Sequence, residues 1–265
     1  MIPRDRITAP ELAEVLDQPG LVVVDVRWSM AGPAGRALYE EGHVPGARFL
    51  DLDSDLSAPV GEGPGRHPLP DPADLAEALA REGIGEGMCV VAYDDRGGGI
   101  AARLWWLLNT YGFPGNVAIL DGGIQGWTQA GHSLEAGPLP AAAAVTPVSF
   151  PEGDIPVVDH KDIQEILRDD GLVLDARSGD RYRGEREPID PRPGHIPGAL
   201  SSPFTESLVE PGGPLRPLKE LRTRFEALGA LDDVPLVASC GSGVTACHLL
   251  WVLHMLGRDG ALLYE

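Results

Sequence analysis

The residues best suited to chemistry stand together at 240–245, Cys240-Gly241-Ser242-Gly243-Val244-Thr245. A short apolar run, Leu236-Val237-Ala238-Ser239, precedes them, and a pattern apolar on nearly every face follows from Val244 to about Leu256. This order predicts a buried strand, a tight glycine turn and a buried helix. The turn places a thiol at a helix N-terminus. Its glycines allow successive N–H groups to point inward as an anion nest, and the helix dipole adds partial positive charge. Both favour the thiolate, so Cys240 is expected to be a nucleophile and the amides from Gly241 to Val244 to hold its sulfur anion. Cys89, opening a strand, and Cys247, inside the helix, read as buried structural thiols. Three cysteines make no disulfide framework and match no zinc spacing, which fits a reducing compartment.

The elements that must position this loop occur twice. Gly20-Leu21-Val22-Val23-Val24-Asp25-Val26-Arg27 is echoed by Gly171-Leu172-Val173-Leu174-Asp175-Ala176-Arg177, each a buried strand ending in Asp-x-Arg. Seventeen residues after Asp25 comes Gly42-His43-Val44-Pro45-Gly46-Ala47, and nineteen after Asp175 comes Gly194-His195-Ile196-Pro197-Gly198-Ala199. Val90-Val91-Ala92-Tyr93-Asp94 pairs in the same way with the strand that delivers Cys240. The chain therefore divides into homologous halves, 6–132 and 154–265, with a linker at 133–153 carrying Pro138, Pro140, Pro147 and Pro151 around an alanine run. Strands at 21–26, 89–93, 117–120, 172–175 and 235–238 alternate with helical patterns at 9–16, 72–81 and 101–108. That alternation predicts an α/β fold, two tandem domains, each a parallel sheet flanked by helices, with chemistry at the carboxyl ends of the strands.

The Cys240–Ala246 stretch, the doubled Gly-His-x-Pro-Gly-Ala and Tyr39 four residues before His43 resemble the rhodanese superfamily, specifically its two-domain sulfurtransferases, over almost the whole chain. The resemblance implies two rhodanese-like domains, the second catalytic and the first without its cysteine; Asp94 stands at the position equivalent to Cys240. It implies that Cys240 takes sulfane sulfur from a small-molecule donor as a persulfide and passes it to a thiol, thioredoxin or cyanide. A loop reading Cys-Gly-Ser-Gly-Val-Thr is similar to the members that use 3-mercaptopyruvate; thiosulfate-preferring members carry Arg and Lys where Gly241 and Ser242 stand. Charge matching gives the reason, since dianionic thiosulfate needs cations beside the sulfur and a monocarboxylate needs its cation farther away. Arg181, with Arg183 beside it, is the expected carboxylate grip; Arg192 or Arg186 stand in for a second family arginine that does not align. Ser242, His67 and Asp53 match a family relay that handles the donor's proton and carbonyl, which would put the site between the domains. His43 and His195 recur in both halves and are expected to be structural, bonding the turn that follows each. The family's closing aromatic-acidic-Gly-Ser-Trp stretch would begin at Tyr264-Glu265, and its lack is expected to uncover part of the second domain's core.

Composition bounds the alternatives. At about 150 residues per domain, 265 residues suggest two. A net charge of −19, with 40 acidic against 21 basic residues, repels phosphate backbones and anionic lipid, so no nucleic-acid or membrane partner is expected. No leader-like apolar region follows residues 1–6 and no run is long enough to span a bilayer, pointing to the cytoplasm. Gly97-x-Gly99-x-x-Ala102 imitates a dinucleotide fingerprint, but its first glycine lies well past the strand and Asp94 and Asp95 would repel a pyrophosphate. A cysteine phosphatase needs a longer loop closed by arginine, absent from Cys240–Ala246. No metal or organic cofactor is implied. Thiosulfate:cyanide transfer and a persulfide carrier without turnover remain as alternatives to the 3-mercaptopyruvate reading.

Overall fold

The computed structural model describes residues 5–61 and 65–265; residues 1–4, part of the stretch read for a leader, lie outside them. The first half builds strands β1 (Asp5–Ile7), β2 (Leu21–Asp25), β3 (Arg48–Phe49), β4 (Cys89–Tyr93) and β5 (Val117–Leu120). Helices α1 (Ala9–Val15), α2 (Gly35–Glu41), α3 (Pro72–Arg81), α4 (Ala101–Thr110) and α5 (Gly123–Gln129) cover the sheet. The second half repeats the plan with β6 (Val157–Val158), β7 (Leu172–Asp175), β8 (Leu200–Ser201), β9 (Leu236–Ser239) and β10 (Leu262–Tyr264). Its helices are α6 (His160–Arg168), α7 (Gly179–Tyr182), α8 (Leu218–Ala227) and α9 (Val244–Met255). Both sheets are parallel throughout, in the orders β1-β5-β4-β2-β3 and β6-β10-β9-β7-β8, one topology used twice. The two- and three-residue strands β1, β3, β6, β8 and β10 have no legible period in the sequence.

The paired motifs recur because they bond to each other. Asp25 closes β2 and accepts from Arg27 Nε (2.9 Å) and Nη2 (2.6 Å). Arg27 Nη2 also donates to the carbonyls of Leu38 (3.0 Å) and Gly42 (2.6 Å), the first residue of the hexapeptide. In the second domain Asp175 holds Arg177, whose Nη2 reaches the Gly194 carbonyl at 2.7 Å. A buried carboxylate thus keeps an arginine stretched across the sheet edge, where it satisfies carbonyls that would otherwise be stranded. His43 and His195 do not bond the turn that follows. Their Nδ1 atoms face the preceding carbonyls of Tyr39 (2.8 Å) and Tyr182 (2.7 Å), and their rings stack on those tyrosines at 4.0 and 3.7 Å. The turn is held instead by the tyrosine hydroxyls, which donate to Ala47 (2.8 Å) and Ala199 (2.7 Å).

The halves share one core. Helices α4 and α9, apolar on almost every face, pack on each other, and the same buried cluster runs from Leu50, Leu104 and Trp106 to Leu249, Leu250 and Trp251. This explains why neither helix is amphipathic: each is covered by its own sheet on one side and by its twin on the other. Polar ties cross the same boundary. Trp251 Nε1 donates to the Asp5 carbonyl (2.8 Å), His248 Nε2 faces the Gly97 carbonyl (3.2 Å), and the Leu215 amide donates to Asp121 (2.8 Å). The proline-rich linker runs over the first domain, where Arg48 donates to the Pro140 carbonyl (2.6 Å) and Val148 is buried. Leu263 in β10 is fully buried and Tyr264 half-buried. Among the described residues no helix is long and apolar enough to cross a membrane.

Candidate active site

Cys240 leaves the end of β9, and Gly243, in the left-handed region at φ 69°, turns the chain into α9. The thiol is half-buried, and the Ser242 amide lies 3.5 Å from Sγ. It opens into a cavity of about 280 Å³ lined from both domains. Gly241, Ser242, Val244 and Thr245 also line it; Gly243 does not, since a side chain there would meet Glu265 at 3.1 Å on the opposite side.

The first domain shows what this kind of loop holds. Asp94 leaves β4 as Cys240 leaves β9, and its buried carboxylate accepts from four amides. These are Arg96 (2.8 Å) and Gly98 (2.9 Å) on Oδ1, and Ile100 (2.6 Å) and Ala101 (2.8 Å) on Oδ2. The longer loop, with α4 starting seven residues after Asp94 rather than four after Cys240, wraps around its own side chain. The first-domain loop is therefore a cradle already filled by its own carboxylate. In the second half a neutral loop of small residues surrounds a sulfur instead.

The first domain supplies the wall facing Cys240. His67 is 5% exposed and lines the cavity; its Nε2 lies 2.9 Å from Asp53 Oδ1, while Asp53 Oδ2 accepts from Trp28 Nε1 at 2.8 Å. Trp28 also sits edge-on to the His67 ring at 5.3 Å. The predicted histidine and aspartate are thus joined, and Ser242 lines the same cavity. Burial pushes the His67 imidazole below its ordinary range, outweighing the bond to Asp53 that raises it, so the ring is neutral at pH 7. The segment beneath His67 is anchored by Arg103, a fully buried cation of α4 that donates to the His67 carbonyl (2.9 Å).

The arginines differ from expectation. Arg181 lines the cavity, but its guanidinium is already engaged, by Glu187 Oε1 and Asp190 Oδ2, each at 2.8 Å. Arg183 does not reach the cavity: its exposed side chain points to solvent and pairs with Glu185 at 2.8 Å, because it lies at the far end of the short helix α7. Arg186 and Arg192 are exposed too. The second guanidinium of the cleft is Arg66, which comes from the other domain and is hydrogen-bonded to Asp190 Oδ1. Arg177, the lattice arginine of the second Asp-x-Arg, also lines the cavity and touches Glu187 at 3.4 Å. Glu187 is held below the ordinary glutamate range; burial alone would raise it, and Arg181 with the amides of Asp190 and Ile189 more than offsets that. Arg66, Asp190, Glu187, Trp28 and Arg103 carry no sequence signal of a site. Only the adjacency of Arg66 to His67 could have drawn attention to the first of them.

Trp28, Met30, Leu52, Ile100, Ile189 and Phe204 complete the apolar wall. A small donor with an anionic end would place that end on the arginines and its reacting atom at Cys240.

The Rhodanese-like domain model matches residues 8–130 and 159–265. A Pseudomonas aeruginosa protein named "Probable 3-mercaptopyruvate sulfurtransferase" is 46% identical over 97% of this chain and 91% of its own length. Among solved structures, the 3-mercaptopyruvate sulfurtransferase from Leishmania major superposes with a TM-score of 0.86 at 32% identity, covering 98% of this chain and 72% of that one. SseA from Escherichia coli, a 3-mercaptopyruvate sulfotransferase, gives 0.83 at 33%, covering 99% and 98%. With both halves matched and the relatives aligned almost end to end, the chain belongs to the rhodanese family, as a tandem of two rhodanese-like domains.

Proposed function

We propose that the protein is a 3-mercaptopyruvate sulfurtransferase and that Cys240 carries the sulfur. The observation that supports it most is the placement of this thiol in a loop that carries no charge of its own, in a cleft whose guanidiniums, Arg66 and Arg181, reach the loop from other segments. The Cys240 thiolate attacks the thiol sulfur of 3-mercaptopyruvate; an S–S bond forms, and the C–S bond breaks with its electron pair on carbon, delocalised into the ketone as an enolate. The proton carried by the donor sulfur is transferred to that carbon, giving pyruvate and leaving Cys240 as a persulfide anion. A thiol or cyanide then takes the outer sulfur and Cys240 leaves as thiolate.

In this reading the amides of Gly241 to Val244 stabilise the persulfide anion, as the twin cradle stabilises a carboxylate. The neutral His67, oriented by Asp53, and the Ser242 hydroxyl relay the proton from sulfur to carbon. Arg181 and Arg66 hold the donor carboxylate. The apolar wall keeps water from the persulfide.

Intact mass after incubation with 3-mercaptopyruvate or thiosulfate in parallel tests this. A gain of one sulfur atom with 3-mercaptopyruvate, matched by released pyruvate and absent in Cys240→Ser with an unchanged fold, is expected. Sulfur gained only from thiosulfate would make the protein a thiosulfate sulfurtransferase; a persulfide that no small acceptor discharges would make it a carrier.

A further inference from the structure

The donor's anion receptor is occupied. Asp190 Oδ1 is bonded to Arg66 of the first domain and Oδ2 to Arg181 of the second, 2.8 Å away, so one carboxylate bridges the two guanidiniums across the cleft. It stands beside the catalytic loop: a side chain starting at Gly241 would meet Asp190 Oδ2 at 2.9 Å and Arg66 Nη2 at 2.8 Å. The bridge belongs to a larger cluster in which Arg66, Arg177 and Arg181 face Asp175, Glu187 and Asp190, three cations and three anions with a formal sum of zero. Asp175 and Glu187 are built in, buried and bonded to arginines or amides of their own domain. Asp190 is the member that spans the domains, with its side chain 21% exposed at the cavity edge.

We propose that Asp190 is a specificity-determining residue, a resident carboxylate that the donor's own carboxylate replaces between Arg66 and Arg181. The inference rests on the sulfurtransferase reading above. A carboxylate for carboxylate exchange conserves the geometry and the charge of the receptor, so a monoanionic donor enters without leaving a guanidinium bare. A dianion such as thiosulfate brings a second charge into a cluster with no net positive charge to meet it. Asp190 thereby disfavours dianions from outside the loop, while the neutral Gly241 and Ser242 do so from within it.

The test is initial-rate kinetics with cyanide as acceptor, comparing 3-mercaptopyruvate and thiosulfate in wild type, Asp190→Asn and Arg66→Met. Asp190→Asn leaves the cluster with one net positive charge and removes the competitor. It is expected to lower KM for both donors and to raise kcat/KM for thiosulfate about tenfold more than for 3-mercaptopyruvate, the order expected for one added charge contact in a partly solvated cleft. Arg66→Met removes a cation and is expected to move the donor ratio the opposite way. An unchanged ratio in Asp190→Asn, or a shift in the same direction in both variants, overturns the proposal. If Asp190→Asn does not fold, Arg66→Met decides: an unchanged ratio overturns it. Failure of the underlying reading looks different, since wild type would then gain no sulfur from either donor.

Discussion

Two thiols lie one helical segment apart and have opposite environments. Cys247 is fully buried in α9 and bonded to the Gly243 carbonyl at 3.1 Å; burial pushes its thiol up to about 12. Cys240 is only half-buried and opens into the cavity, so it lacks the steric cover of such a site and access separates the two thiols. Iodoacetamide at pH 7.5 is expected to alkylate Cys240 and to leave Cys247 unmodified until the protein unfolds, read by peptide mass. Early labelling of Cys247 would show that α9 opens in the native state. Persulfidation by 3-mercaptopyruvate before alkylation should shift the adduct at Cys240 by one sulfur and change nothing at Cys247. The placement of Cys240 between strand and helix was legible because an apolar strand, a thiol, two glycines and an apolar helix follow one another. Arg66 and Asp190 were not, because their meaning lies in a contact spanning 124 residues that no local pattern encodes.

At the scale of the element, the two strand–turn–helix units are one device with two contents. The sequence shows that Asp94 stands where the second unit has Cys240, but not that Asp94 satisfies four amides with its own carboxylate, since that depends on the path of the longer loop. Asp94→Ala removes the acceptor and strands those amides in a buried place. The expected cost is about 3 kcal/mol in a urea melt, allowing for loop relaxation and water entry. The emptied nest should then bind an external anion, so sulfate is expected to stabilise Asp94→Ala more than wild type at equal ionic strength with chloride controls. Equal stabilisation of both would mean that the amides find other partners and that the cradle is not preformed. The long central strands and α3, α4 and α9 were legible from their apolar patterns; the cap at Asp71, which accepts from the Ala73 amide at 2.8 Å, comes from the structure. The edge strands were not, because two or three residues carry no period and are fixed by pairing alone.

At the scale of the whole molecule, one core serves both domains, and its boundary contains a neutral histidine. His248 of α9 is fully buried between Phe204 and Trp251, with Nε2 donating to the Gly97 carbonyl of the first domain. Burial brings its pKa down to about 4; Asp94 and the Gly97 carbonyl raise it and Arg224 lowers it further, but desolvation dominates. The sign follows from linkage. Between the ordinary value of 6.5 and about 4, the unfolded chain binds a proton that the folded one refuses, so stability rises with pH across this window and falls as acid is added. The full loss, reached near pH 4, is about 3 kcal/mol from His248 alone. His67, also lowered by burial, acts in the same direction. His248→Gln keeps a donor for Gly97 and abolishes the titration. It is expected to be somewhat less stable than wild type at pH 7.5, through imperfect packing, and to lose less stability between pH 6.5 and 4.5 in urea melts. Because His248 lies where α9 meets the Gly97 loop, a proton taken up by His248 enters at the domain boundary. The amide of Gly98, in the loop that His248 contacts, should therefore show faster hydrogen exchange at pH 5 than the β4 ladder, after correction for intrinsic rates. Parallel slopes for the variant and wild type would place the acid sensitivity at groups other than His248.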